Sequence, residues 1–154
     1  CFFTLILDHS LFSCSCPKNF LLFVKTLLQA AFFPLPFEVL ENDFVLQFQK
    51  IGVNAQHFTN KRRLHHTSFL WDFSHEMMSL LKHPEKTPTY RQGRDHNSFC
   101  TPLKPHFASK EEFLRKIEHS LCEHFEIFQK CILEVEILLL TPHFNFLRLL
   151  EDIQ

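Results

Sequence analysis

Between residues 19 and 73 the spacing of apolar residues changes from steps of three and four to steps of two. That change restricts the chain to folds that pack helices on a sheet. Phe20, Phe23, Val24, Leu27, Leu28 and Ala31 keep helical spacing and predict a helix over 19–33, with Asn19 as its N-cap and Pro34 as its stop. After Pro34 and Pro36, Phe37 and Val39 alternate with their neighbours, with Glu41 in phase. Phe44, Leu46 and Phe48 alternate again, so 37–48 reads as a hairpin turning at Asn42-Asp43. Lys50–Gln56 and Leu64–Phe73 are the next strands, separated by a charged turn at 59–63, and the apolar run Cys1–Asp8 reads as a buried strand. Ser74 opens a short helix to Lys82. Residues 83–105 carry Pro84, Pro88, Pro102 and Pro105 and read as a loop draped over the sheet, longer than a bare connector needs. Ser109–Glu112 is an S-x-x-E capping box that starts a helix over 110–125, with Phe113, Ile117, Leu121 and Phe125 on one face. Residues 131–140 fit helix or strand, and 126–154 reads as a C-terminal helical tail. The expected fold is α/β of the α+β type. One mixed, largely antiparallel sheet (1–8, 37–41, 44–48, 50–56 and 64–73) is covered by helices 19–33 and 110–125 in a single domain spanning 1–154.

Composition removes several functions. The chain has two glycines, Gly52 and Gly93, so neither G-x-x-x-x-G-K-[ST] nor G-x-G-x-x-G can be written anywhere in it. Sixteen basic and 17 acidic residues give a net charge of −1, which leaves no global field to draw the chain onto nucleic acid or anionic lipid. The most apolar window, 20–33, is shorter than the roughly 20 residues a membrane helix needs. The six cysteines are irregularly spaced. Cys14-Ser15-Cys16 would need two more ligands for zinc, and His9 is the only histidine nearby. The expectation is a cytoplasmic protein with reduced cysteines, no structural metal, and no nucleic-acid or membrane partner.

Three polar clusters interrupt the apolar strands: Asn42-Asp43; Lys50 through Gln56; and His65-His66-Thr67-Ser68, which leads to Trp71-Asp72. A lysine opening a strand that contains glycine suits an anion, because the ammonium is a point charge and Gly52 lets a ligand approach the backbone. Alone, Lys50 reads more readily as an exposed edge-strand lysine. His65 and His66, adjacent on a strand, point to opposite faces, and such pairs are more often structural than catalytic. Lys61-Arg62-Arg63 reads as a solvated turn.

Together the clusters are more specific. The run Asn42-Asp43, Lys50-Ile51-Gly52-Val53-Asn54-Ala55-Gln56 and Arg63-Leu64-His65-His66-Thr67-Ser68-Phe69-Leu70-Trp71-Asp72-Phe73 resembles the lipoate–protein ligases. The likeness continues through Leu81-Lys82-His83-Pro84, Thr87-Pro88-Thr89-Tyr90-Arg91 and Arg94-Asp95-His96-Asn97-Ser98-Phe99, and covers about 36–125. The resemblance implies the catalytic domain shared with biotin ligases and a two-step reaction. Lipoate and ATP, with Mg²⁺, give lipoyl-adenylate; the lipoyl group then passes to a lysine of a carrier domain, as in 2-oxoacid dehydrogenases or the glycine cleavage system. It implies Lys50 as the catalytic lysine and Asn42 and Asp43 at the nucleotide site, with Asp43 holding Mg²⁺ or orienting Lys50. Gly52, Asn54 and Ala55 would line the acyl and adenylate groove, with His65 and His66 as a pocket wall. Arg91, Arg94 and His96 match a polar loop after the sheet. The expected convergence is of Asn42-Asp43, Lys50 and one of His65 or His66 on one cleft. The family usually has a second small residue where this chain has Val53. Its Arg-Arg-x-[ST]-Gly-Gly-Gly segment would precede Cys1, so the expectation is a domain truncated at its N-terminus. An ATP-independent lipoyl or octanoyl transferase of the same fold and a non-catalytic remnant are the alternative readings.

Overall fold

A computed structural model of the protein describes residues 1–10 and 16–125. Strands β1 (Phe2–Asp8), β5 (Gly52–Phe58) and β6 (Arg62–Phe69) form one antiparallel sheet in the order β1-β6-β5. Strands β2 (Phe37–Leu40), β3 (Asp43–Leu46) and β4 (Gln49–Lys50) form a second. Helices α1 (Pro17–Phe32) and α4 (Lys110–Cys122) pack on them, and two short helices, α2 (His75–Ser79) and α3 (His96–Phe99), lie in the connection between β6 and α4. The architecture is mixed α+β with antiparallel sheets. The reading of 131–140 and the C-terminal tail lies outside the described residues.

The single expected sheet is divided in two, and the division falls at Ile51. Its N–H donates to the Phe44 carbonyl at 3.0 Å in one sheet, while its own carbonyl accepts from the Leu70 N–H at 2.7 Å beyond the end of β6. The residue is fully buried. One strand was expected over 50–56 because the sequence alternates smoothly there; burying both Ile51 and Gly52 breaks that alternation and turns the chain from one sheet to the other.

Other boundaries shift for local reasons. Helix α1 begins two residues before Asn19, with Cys16 as N-cap and Pro17 in its first turn, where the fixed φ of proline suits a helix start. The β2–β3 turn is Glu41-Asn42 rather than Asn42-Asp43: Leu40 pairs with Asp43, and Glu41 takes a positive φ of 53°. The next turn, Gln47-Phe48, has φ of 48° and 65°, so Phe48 leaves the strand it was assigned to. Strand β6 starts at Arg62, because Phe58 and Arg63 pair across a tighter turn, and it ends at Phe69. The two cap expectations hold at their hydroxyls. Ser74 Oγ accepts from the Met77 N–H at 3.3 Å, and Ser109 Oγ from the Glu112 N–H at 3.1 Å. Glu112 closes the reciprocal bond on the Ala108 N–H instead of that of Ser109.

The core lies between the sheets and the two long helices and is dominated by phenylalanine. Phe32 is fully buried at its centre. Its ring stacks on Phe37 at 4.0 Å and meets Phe69, Phe107 and Phe113 at 5.7–6.0 Å, so a single side chain of α1 touches β2, β6, α4 and the connection before α4. Cys100 is buried, and Cys122 is exposed at the end of α4. No described helix is long and apolar enough to cross a membrane.

Candidate functional site

Strand pleating decides which polar residues can meet. On β3, Phe44 and Leu46 join the core, so Asp43 and Val45 project to the other side. Lys50 is paired with Val45 and precedes the core residue Ile51, which puts it on that side too. There Lys50 Nζ lies 2.6 Å from Asp43 Oδ1, with the two side chains 19% and 12% exposed. Tyr90, in the connection that covers this side, donates its hydroxyl to Asp43 Oδ2 at 2.9 Å. Burial and the Asp43 charge raise the Tyr90 pKa far above its ordinary value, so the phenol remains a donor.

The covering connection is fastened at several points. Glu41 Oε1 accepts from the Thr89 and Tyr90 N–H groups at 2.6 and 3.2 Å. Arg94 donates to the carbonyls of Phe48 and Tyr90 at 3.1 and 2.8 Å. The Thr101 N–H donates to the Lys50 carbonyl at 3.0 Å. The guanidinium groups of Arg91 and Arg94 both lie over Phe99, and Arg91 is buried. Burial pushes the Cys100 thiol up, against the pull of Lys50 and then Arg91. Lys50 is the cation paired with Asp43, while Arg91 and Arg94 direct their donors to carbonyls of the covering connection and of Phe48. His96 lies against His83, with ring centroids 5.6 Å apart, at the edge of this group.

The inner face of β5–β6 carries a second polar arrangement. Gln56 Nε2 donates to His65 Nδ1 at 3.2 Å; His65 Nε2 meets Thr67 Oγ1 at 2.7 Å; Thr67 donates to Asn54 Oδ1 at 2.7 Å; and Asn54 Nδ2 donates to the Asn42 carbonyl at 3.0 Å. Each donor finds an acceptor only if His65 is neutral and protonated on Nε2. Burial, and secondarily His66, lowers its pKa to about 4. Asn42 is therefore tied to His65 through two side chains, while Asp43, the next residue, is tied to Lys50. His66 is not part of either group. It lies on the opposite face of the sheet, against Phe2 and bonded to Thr4 Oγ1 at 2.8 Å. Val53 and Ala55 share that face and are exposed.

Gly52 has a different reason from the one expected. A Cβ there would meet the Ser68 carbonyl and the Thr67 methyl at 3.2 Å, so the glycine allows β6 to approach, and that space is closed to a ligand. Both Asp43 oxygens accept a bond, one from Lys50 and one from Tyr90, and no group of three His, Cys, Asp or Glu side chains is placed to hold a metal among the described residues. Tyr90, Gln56 and Thr67 were not singled out from sequence. Gln56 and Thr67 sit within the quoted strand segments, but only the register shows that they face His65.

The neutral state of His65 gives a pH prediction. Its folded pKa of about 4 lies below the ordinary 6.5, so the unfolded chain binds the proton more tightly. Its contribution is fully present above about pH 6.5 and is lost as pH falls toward 4, amounting to about 3 kcal/mol over that window. Urea unfolding of the wild type and of His65→Gln at pH 7.5 and 4.5 should show a smaller loss of stability in the variant. Equal losses would mean that His65 does not titrate with folding.

The chain is 35% identical over 79 residues to an inactive lipoate–protein ligase 2 of Plasmodium falciparum (isolate 3D7). It is a distant relative. The match takes in 44% of this chain and 21% of the relative, so the chain spans about a fifth of that protein's length. No family model matches. The similarity supports a distant lipoate–protein ligase-like relationship.

Proposed function

We propose that this chain is the lysine-bearing part of a lipoate–protein ligase-type domain and serves ATP-dependent attachment of lipoate to a carrier lysine. The observation that carries the proposal is the Lys50–Asp43 pair, held at 2.6 Å on the side of β3–β4 away from the core and beneath a connection bearing Arg91 and Arg94. In the first step a lipoate carboxylate oxygen attacks the α-phosphorus of ATP and pyrophosphate leaves; Mg²⁺ enters with the nucleotide as part of the substrate. In the second, the carrier's ε-amine attacks the acyl carbon and AMP leaves. Both steps gather negative charge on oxygen, and a fixed ammonium stabilises it without reorganising. Asp43 holds the ammonium in place, and the two arginines keep the surroundings positive. An open cavity of about 760 Å³ lined by Ile6, His57, Thr59, Asn60, Lys61, Arg62 and Leu64 lies at the opposite end of β5 from Lys50 and has no part in this reading.

A second reading, a domain that binds the acyl-adenylate without catalysing its transfer, is favoured by two observations. The similar protein is named as inactive, and Val53, 53% exposed, stands on the outer face where the resemblance calls for a small residue. One experiment separates the readings. The 154-residue chain is incubated with lipoate, MgATP and a lipoyl carrier domain, and the carrier is weighed by intact mass spectrometry; binding of a non-hydrolysable lipoyl-sulfamoyl-adenosine is measured by calorimetry. Carrier lipoylation supports the ligase, and binding without transfer supports the non-catalytic domain. Neither binding nor transfer would overturn both.

A further inference from the structure

We propose that Tyr90 is a positioning residue for Lys50, acting through the carboxylate of Asp43. The proposal rests on the functional reading above for its purpose, but its geometry stands alone. A carboxylate that pairs with a lysine through one oxygen can still swing about its side-chain bonds. Here the second oxygen is taken by the Tyr90 hydroxyl at 2.9 Å while the first accepts from Lys50 at 2.6 Å, so the carboxylate is clamped between two donors on different segments of the chain. Tyr90 itself has little freedom. Its ring packs on Phe99 at 5.2 Å, and its backbone N–H is held by Glu41 Oε1, which belongs to the same turn that delivers Asp43. The residue before Asn42-Asp43 therefore sets the tyrosine, the tyrosine sets Asp43, and Asp43 sets the lysine. Hydrogen bonds to charged groups are the strong ones, so losing this clamp should release the pair measurably.

Tyr90→Phe tests this, because it keeps the ring and its contact with Phe99 and removes only the hydroxyl. The full chain is labelled at neutral pH with a limiting amount of acetic anhydride, and the acetylation of each lysine is read by peptide mass spectrometry, with Lys25 and Lys104 as internal references. In the wild type Lys50 should react slowly, since its ammonium is paired and mostly buried. In Tyr90→Phe its labelling relative to the references should rise about fivefold or more. Asp43→Asn should give a similar rise, and Tyr90→Phe added to it should add nothing. A purely structural tyrosine would lower the melting temperature without this selective change. Tyr90 is the only tyrosine of the chain, so its phenolate absorbance supplies an independent signature: Asp43→Asn should bring phenolate formation to lower pH, by removing a neighbouring negative charge and a bond that favours the protonated form. Unchanged Lys50 labelling in folded Tyr90→Phe, or an unchanged phenolate titration in Asp43→Asn, would overturn the proposal. The labelling requires no ligand. Failure of the chain to bind lipoyl-sulfamoyl-adenosine would sink the functional reading separately, leaving the labelling result to decide the role of Tyr90.

Discussion

Lys50→Ala is expected to lower ATP-dependent lipoyl transfer by about 10²–10³-fold, the usual effect of deleting one preorganised stabiliser of developing charge. The loss should fall on the rate of transfer at saturating lipoate and ATP, because the ammonium is proposed to gain most when charge gathers on the reacting oxygens. Binding of lipoyl-sulfamoyl-adenosine should weaken as well, which gives the variant a readout independent of turnover. Lys50→Arg should not restore transfer. A guanidinium is broad and planar, and the space beside Asp43 and Tyr90 is shaped by a compact ammonium. The variant needs a folding control, since Lys50 is 19% exposed rather than surface-facing and its removal leaves Asp43 without its cation. Lys50→Met combined with Asp43→Asn removes both charges and should recover most of any lost thermal stability, because breaking one half of a buried pair costs more than replacing both halves. Transfer should remain low in that double variant. Near-wild-type transfer by a folded Lys50→Ala protein would remove the lysine from the mechanism.

The other large effect belongs to the core. Phe32→Ala should destabilise the fold by about 3–5 kcal/mol, the range for emptying a buried aromatic site. Phe32 is fully buried and touches four phenylalanines from separate parts of the chain, so no single neighbour can relax into the gap. The loss is comparable to the total stability of many domains, and the protein should be partly unfolded at room temperature. Phe33→Ala, one residue on, provides the contrast: Phe33 is 75% exposed, and its truncation should cost well under 1 kcal/mol. Chemical denaturation followed by circular dichroism measures both. Equal stabilities for the two variants would show that the aromatic cluster does not carry the fold.

The order of residues alone located the strands and long helices, because a change of apolar period is a local property that burial on one face imposes on each element. It also determined the two hydroxyl caps, since Ser74 and Ser109 act on N–H groups only three residues away. Lys50 beside Asp43 was an expectation of the family resemblance alone; the short β3–β4 hairpin and the alternation that put both side chains on one side are seen only in the structure. What lay beyond the sequence depends on contacts between distant residues. The division into two sheets follows from Ile51 bonding to Phe44 on one side and Leu70 on the other, which no local pattern encodes. Adjacent histidines were bound to face opposite ways, but only the register with β5 makes His65 the buried one and ties it to Asn42 through Thr67 and Asn54. Tyr90 lies 47 residues from Asp43, in a proline-rich connection with no periodicity to align it. Its place against the carboxylate was decided by tertiary structure, because the cost of burying Asp43 is offset only where donors from separate segments converge on its two oxygens.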